Sequence, residues 1–99
     1  MRLTAEQQSI IKQEVQALFG LEAEVWLFGS RVNDNQRGGD IDLYIETNDV
    51  DDNVLHLELK LYAQLIKHLG DQRIDIVVHQ KGKPLKAVHE QARKTGIQL

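Results

Sequence analysis

The chain has 99 residues, of which 41% are hydrophobic and 27% charged, with no cysteine and a formal net charge of -3 at pH 7. This length and composition suit one folded domain over residues 1–99, and the lack of cysteine excludes disulfides and thiolate chemistry. The acidic balance argues against a long nucleic acid as partner. We expect a cytoplasmic protein without a membrane span, because the sequence shows neither a signal-like N-terminus nor a sufficiently long apolar stretch.

The first predicted element is an amphipathic helix over residues 4–19. Thr4 and Gln7 have the spacing of a capping box, apolar residues then recur at helical spacing, and Gly20 supplies a stop.

Three segments predict strands. EVWLFGS at 24–30 is an apolar run that ends in a tight turn, and a short helical turn is expected from there to about residue 36. DIDLYIE at 40–46 and RIDIVVH at 73–79 each alternate between an isoleucine face and a polar face.

Apolar spacing predicts two further helices, over 53–69, closed by Gly70, and over 84–95, with Pro84 in the first turn. The element order α-β-α-β-α-β-α predicts a two-layer α+β fold. We expect a small mixed sheet with helices packed on its isoleucine face and the acidic face open to solvent or a cleft.

Acidic residues lie on the polar face of two of the predicted strands. Asp40 and Asp42 lie two positions apart, about 7 Å at their roots, so they can share divalent cations. Magnesium prefers such oxygen ligands together with substrate phosphates. In isolation the pair is more often a turn cap and a solvent-facing residue, and Asp75 could be an ordinary edge-strand residue. If the two strands are adjacent, however, the three carboxylates converge, and a cation offsets their repulsion.

Gly29 and Ser30 offer a complementary anion site. Glycine allows the backbone to approach a ligand closely, and the following amides and the serine hydroxyl can contact phosphate. Arg31 and Arg37 flank this loop and could help to neutralise a triphosphate. Taken alone, Gly-Ser would be an ordinary strand-to-helix turn with a serine cap.

The four histidines show no metal-ligand spacing and are expected at the surface or at helix ends: His56, His68, His79 and His89. Tyr44 is expected to pack within the sheet.

The string GSRVNDNQRGGDIDLYIE resembles the G-S…D-x-D signature of the DNA polymerase beta-like nucleotidyltransferases, specifically their minimal nucleotidyltransferase (MNT) branch. RIDIVV resembles the strand that carries the third carboxylate of that superfamily. The resemblance extends over residues 25–78 in element order. One departure is that nine residues separate Ser30 from Asp40, where the commonest form of the motif has ten.

The resemblance implies a site with two halves, one holding the triphosphate of ATP and one ligating two magnesium ions. The phosphate half would contain Gly29 and Ser30, with Arg31 and Arg37 in support. The metal half would contain Asp40, Asp42 and Asp75, with Asp75 also helping to deprotonate an acceptor hydroxyl.

The implied reaction is transfer of AMP from ATP to a hydroxyl. Members of the branch are commonly encoded beside a helical HEPN-domain protein, and some act as antitoxins by adenylylating a tyrosine of that toxin. One alternative is a non-catalytic module that neutralises such a partner by contact. Another is nucleotidylation of a small molecule such as an aminoglycoside, for which the chain is short. A partner or a homo-oligomer is expected to complete so small a site.

Overall fold

The computed structural model describes residues 3–29, 41–48, 53–70 and 73–99. Within these ranges the elements are α1 (Ala5–Phe19), β1 (Glu24–Phe28), β2 (Ile41–Thr47), α2 (Val54–Leu69), β3 (Ile74–Gln80), α3 (Ala87–Thr95) and β4 (Ile97–Gln98). The strands form one mixed sheet in the order β3-β2-β1-β4. β1 is antiparallel to both β2 and β4, whereas β2 and β3 are parallel. The predicted α+β class with a small mixed sheet is therefore confirmed.

The boundaries of α1 follow from local chemistry. The Thr4 hydroxyl accepts a hydrogen bond from the Gln7 amide at 3.0 Å, and Gln7 Oε1 accepts one from the Thr4 amide at 2.9 Å. These bonds satisfy two amides that the first helical turn would otherwise leave unpaired. The helix ends at Gly20, whose φ of 108° suits glycine. The capping box and the stop predicted from the sequence are both confirmed.

The main core lies between α1, α2 and one face of the sheet. Ile41, Leu43 and Ile45 are fully buried on this face, as their alternation predicts. The two helices contribute a buried stripe each, comprising Ile11, Val15 and Phe19 from α1 and Leu57, Leu61 and Leu65 from α2. Burying a side chain of this size contributes about 1.5–3 kcal/mol, so this cluster anchors the fold.

The third helix corrects the expectation that helices cover one face only. α3 contacts β1 and β2, and its His89 ring lies 5.9 Å from the ring of Tyr44, which alternates to the face opposite the isoleucines. Tyr44 is fully buried as a result. The polar face can be covered here because its polar groups are hydrogen-bonded to one another, which lowers the cost of removing them from water.

Two further differences concern single elements. β4 was not predicted, because two residues carry no periodicity that a sequence pattern can detect. The short helical turn expected over residues 30–36 lies outside the described residues. Within the described ranges, none of the three helices has the length and apolar character needed to span a bilayer.

Candidate active site

The sheet brings Asp42 and Asp75 side by side. β2 and β3 pair in parallel with Asp42 directly opposite Asp75, so the strand adjacency on which the acidic site depends is present. Neighbouring strands lie about 4.8 Å apart, and residues in register point to the same face. Asp42 is half-buried, while Asp75 on the edge strand is exposed. Two aspartates from neighbouring strands therefore lie side by side at the start of β2 and β3.

Gly29 connects the end of β1 to the same place. Phe28 pairs with Asp42 across the antiparallel β1–β2 ladder, and Gly29 follows immediately with a φ of 78°. A Cβ atom at residue 29 would lie 2.1 Å from Asp42 Oδ2, far inside van der Waals contact. Glycine suits this position for two reasons: its positive φ, and the Asp42 carboxylate, which would have to move to admit a Cβ. The glycine of the first motif lies against an aspartate of the second.

Four predicted site residues lie outside the described residues, namely Ser30, Arg31, Arg37 and Asp40. Their roles stay predictions. In the parts of the chain that the structure describes, no group of three or more His, Asp or Glu side chains is arranged to hold a metal ion. The described portion of the candidate site is thus the pair Asp42 and Asp75 with the Gly29 turn.

A second polar cluster lies further along the same face, four residues from the aspartates on each strand. Glu46 pairs with His79 across β2 and β3, about 13 Å along the strands from Asp42 and Asp75. His79 Nδ1 lies 2.8 Å and 3.0 Å from the two Glu46 carboxylate oxygens, and Nε2 lies 2.9 Å from the carbonyl oxygen of Lys83. All of these oxygens are acceptors, so His79 satisfies them when both ring nitrogens carry protons, as the imidazolium.

The cluster corrects the expectation that these histidines lie at the surface. His79 and His89 are buried, at 6% and 7% exposure, and their rings lie 5.0 Å apart. His89 does stand in the first turn of α3, but that turn faces the sheet. The sequence signal that could have revealed the cluster is an acid and a histidine at matching positions of two strands with the same polar phase.

Hydrogen bonding, burial and charge shift the pKa values of Glu46 and Tyr44. Burial by itself would raise the pKa of Glu46, but hydrogen bonds from the Tyr44 hydroxyl and His79, and the positive charges of His79 and Arg93, outweigh burial and lower it. Burial, the hydrogen bond to Glu46 and the negative charge of Glu46 raise the pKa of Tyr44. Tyr44 is thus a neutral donor to the Glu46 carboxylate, whose oxygens also lie within hydrogen-bonding distance of His79.

The comparison with family models decides the affiliation of the chain. A model described as "Nucleotidyltransferase domain" matches residues 9–96, which is most of the chain. The chain belongs to the nucleotidyltransferase domain family. The mixed sheet and the three helices of the described ranges fit the polymerase beta-like fold of that family. No curated protein sequence matches the chain.

Family membership supports nucleotidyl transfer as the activity of this domain. Nucleotidyltransferases usually use a nucleoside triphosphate and a divalent metal ion. The donor chemistry at the candidate site fits such an ion, since Asp42 and Asp75 offer carboxylate oxygens from adjacent strands. The Glu46–His79 cluster is not needed to bind a nucleotide or a metal ion. It packs against α3 through the ring contact between His79 and His89.

Proposed function

We propose that this nucleotidyltransferase domain uses magnesium to transfer AMP from ATP to a hydroxyl group, and that the acceptor is a tyrosine of a helical HEPN-domain toxin. Modification of the tyrosine would neutralise the toxin. The observation that carries the proposal is the pairing of Asp42 with Asp75, with Gly29 held against the Asp42 carboxylate. This arrangement supports a compact acidic site beside a phosphate-binding turn.

Asp42 and Asp75 would hold the metal, together with Asp40, which lies two positions before Asp42 in the sequence. Carboxylate oxygens combined with substrate phosphates are the usual ligand set of magnesium. Bound there, magnesium would offset phosphate charge and favour the ionised form of the acceptor hydroxyl.

The remaining contributions come from residues of the chain. The Gly29 turn and Ser30 would hold the triphosphate, with Arg31 and Arg37 offsetting its charge. The acceptor oxygen forms a bond to the α-phosphorus, the bond from that phosphorus to the bridging oxygen breaks, and pyrophosphate leaves. The hydroxyl proton passes to the carboxylate of Asp75, whose exposure lets water remove it.

We propose further that a partner or a second copy of the chain completes the site. A domain of 99 residues offers little surface with which to enclose both a nucleotide and an acceptor. The purified monomer should therefore bind ATP weakly and transfer little label. Saturation with ATP and full modification of the acceptor by a monomer would contradict this part of the proposal.

The direct test is incubation of the protein with α-labelled ATP, magnesium and the helical protein encoded by the neighbouring gene. We expect label on a tyrosine of that protein and release of pyrophosphate, both abolished by a chelator. Absence of label on that protein and on a panel of small hydroxyl compounds, including aminoglycosides, would refute nucleotidyl transfer to these acceptors.

Variants separate catalysis from contact. Asp42→Asn keeps the size of the side chain and removes its charge, so transfer should fall by at least about 100-fold if Asp42 binds metal. Glu6→Gln, an exposed change in the first turn of α1, is the matched control and should keep full activity. If Asp42→Asn neutralises the toxin as well as the wild type does, the protein acts by contact and the catalytic proposal is wrong.

A further inference from the structure

Two helices of this protein use the same device at their N-termini with different chemistry. In α1 the third helical residue, Gln7, accepts a hydrogen bond from the backbone amide of Thr4 at 2.9 Å. In α3 the third helical residue, His89, does the same through Nδ1, which accepts from the backbone amide of Lys86 at 3.1 Å. Each bond satisfies an amide that the first turn leaves without a helical partner.

The two acceptors respond differently to acid. The amide oxygen of Gln7 accepts at every accessible pH. Nδ1 of His89 accepts only while it lacks a proton, and protonation turns it into a donor that faces another donor. The Lys86 side chain cannot replace this bond, because an ammonium group has no acceptor, and it makes no capping hydrogen bond.

The surroundings of His89 disfavour its protonated form. His89 is 7% exposed, and its ring lies 5.0 Å from the ring of His79, both of whose nitrogens lie within hydrogen-bonding distance of acceptor oxygens. Burial, followed by the charges of His79 and Lys86, lowers the pKa of His89, and Glu46 opposes this effect. Further charged or titratable groups around the cluster are Tyr44 of β2, Arg93 of α3, Glu24 of β1 and Lys83, which lines the same pocket as His89.

We propose that His89 is a pH-sensitive capping residue, and that its protonation releases the N-terminal turn of α3 from the sheet. His89 makes both the cap and the ring contacts with Tyr44 and His79, so one proton weakens both. α3 lies on the polar face of the sheet, which also carries Asp42 and Asp75. Its release in acid would uncover the Glu46–His79 end of that face and leave α1, α2 and their core in place.

The direction of the effect follows from linkage. The pKa of His89 is lower in the folded protein than its ordinary value of 6.5, so the unfolded or undocked state binds more protons. The stability of docked α3 is therefore complete above pH 6.5 and is lost as the pH falls from there through the folded pKa. Loss of an N-terminal cap changes a helix equilibrium by about fivefold, before any loss of packing.

The test is amide hydrogen exchange by NMR, expressed as protection factors at about pH 7.5 and about pH 5. In the wild type, the amides of residues 90–96 should lose protection at least about fivefold at the lower pH, while those of α1 and α2 keep theirs. His89→Gln replaces the imidazole with an amide oxygen like that of Gln7, which accepts a hydrogen bond at either pH. It should abolish the loss of α3 protection in acid. His56→Gln, on the exposed side of α2, should leave the response of α3 unchanged.

The reciprocal variant Gln7→His provides a second test at an accessible position. It should give the first turn of α1 an acid response that the wild type lacks. Constant α3 protection between the two pH values would overturn the proposal, and so would an acid response in His89→Gln equal to that of the wild type. This test uses no nucleotide, so its result is independent of the proposed activity.

Discussion

Gly29→Ala adds one methyl group where β1 ends against the candidate active site. Two costs follow. An alanine with φ near 78° lies in the left-handed region, which adds about 1–2 kcal/mol. The new Cβ would lie 2.1 Å from Asp42 Oδ2, whereas ordinary contact begins at 3.4 Å, so the carboxylate or the strand end must move by about one ångström.

The displacement should affect activity more than stability. Misplacing a group at an active site by about 1 Å can lower the rate about 100-fold, equivalent to about 2.7 kcal/mol in the transition state. We therefore expect Gly29→Ala to lose about 1–2 kcal/mol of unfolding free energy and about 100-fold in nucleotidyl transfer.

Gly70→Ala is the matched control. Gly70 has a similar φ of 88°, but a Cβ there would meet nothing within 4 Å. Both variants should show a similar loss of stability in urea titrations, while only Gly29→Ala should lose transfer activity, measured as pyrophosphate release. If Gly29→Ala transfers at the wild-type rate, or if Gly70→Ala loses activity to the same extent, the inferred role of the Gly29–Asp42 contact is wrong.

Three further predictions concern stability and can be measured by urea unfolding. Glu46→Ala leaves two buried donors, the Tyr44 hydroxyl and His79 Nδ1, without their acceptor and should cost about 2–5 kcal/mol. His68→Ala removes a more exposed contact with Glu14 and should cost under about 1 kcal/mol. Equal losses would contradict this prediction. Folding lowers the pKa of Glu46 below its ordinary value of 4.5. The ionised carboxylate therefore stabilises the folded protein above pH 4.5, and this stabilisation is lost as the pH falls through the folded pKa. The urea midpoint should therefore fall more between about pH 5 and pH 3 in the wild type than in Glu46→Gln, and parallel curves would exclude this assignment. Leu61→Ala leaves a cavity at a fully buried position and should cost about 2–5 kcal/mol. Leu59→Ala, at a position that is 60% exposed, should change stability by about 0.5 kcal/mol or less. The reverse order would mean that the buried face of α2 has been assigned wrongly.

Much of the fold could be predicted from local sequence. The bounds of α1 depend on a capping box and a terminal glycine, and both act within a few residues. The strand phases of β2 and β3 depend on alternation, so the isoleucine face was identified correctly. These features are predictable because hydrogen bonding at a helix end and burial of every second residue are local consequences of the residues present.

Features that depend on residues distant in sequence could not be predicted in the same way. The position of α3 on the polar face depends on whether Tyr44, Glu46 and His79 satisfy one another, and those groups meet only when β2 pairs with β3. The packing of α3 on that face leaves His79 and His89 buried, whereas the sequence had placed the histidines at the surface or at helix ends. From sequence alone, a polar residue is expected to face solvent, because the hydrogen-bond partners that would allow its burial are unknown.

The sequence by itself determined the class of fold, the two strands with aspartates on their polar faces, and the motif that resembles that of the nucleotidyltransferases. Only the tertiary structure decided that Asp42 lies opposite Asp75, that Gly29 lies against the Asp42 carboxylate, and that α3 packs on Tyr44 and His79 of the polar face. The physical reason is the distance in sequence over which each interaction acts. Helix propensity, capping and alternation act between neighbours in the chain. The pairs Asp42–Asp75 and Glu46–His79 form only through the register of strands about 30 residues apart.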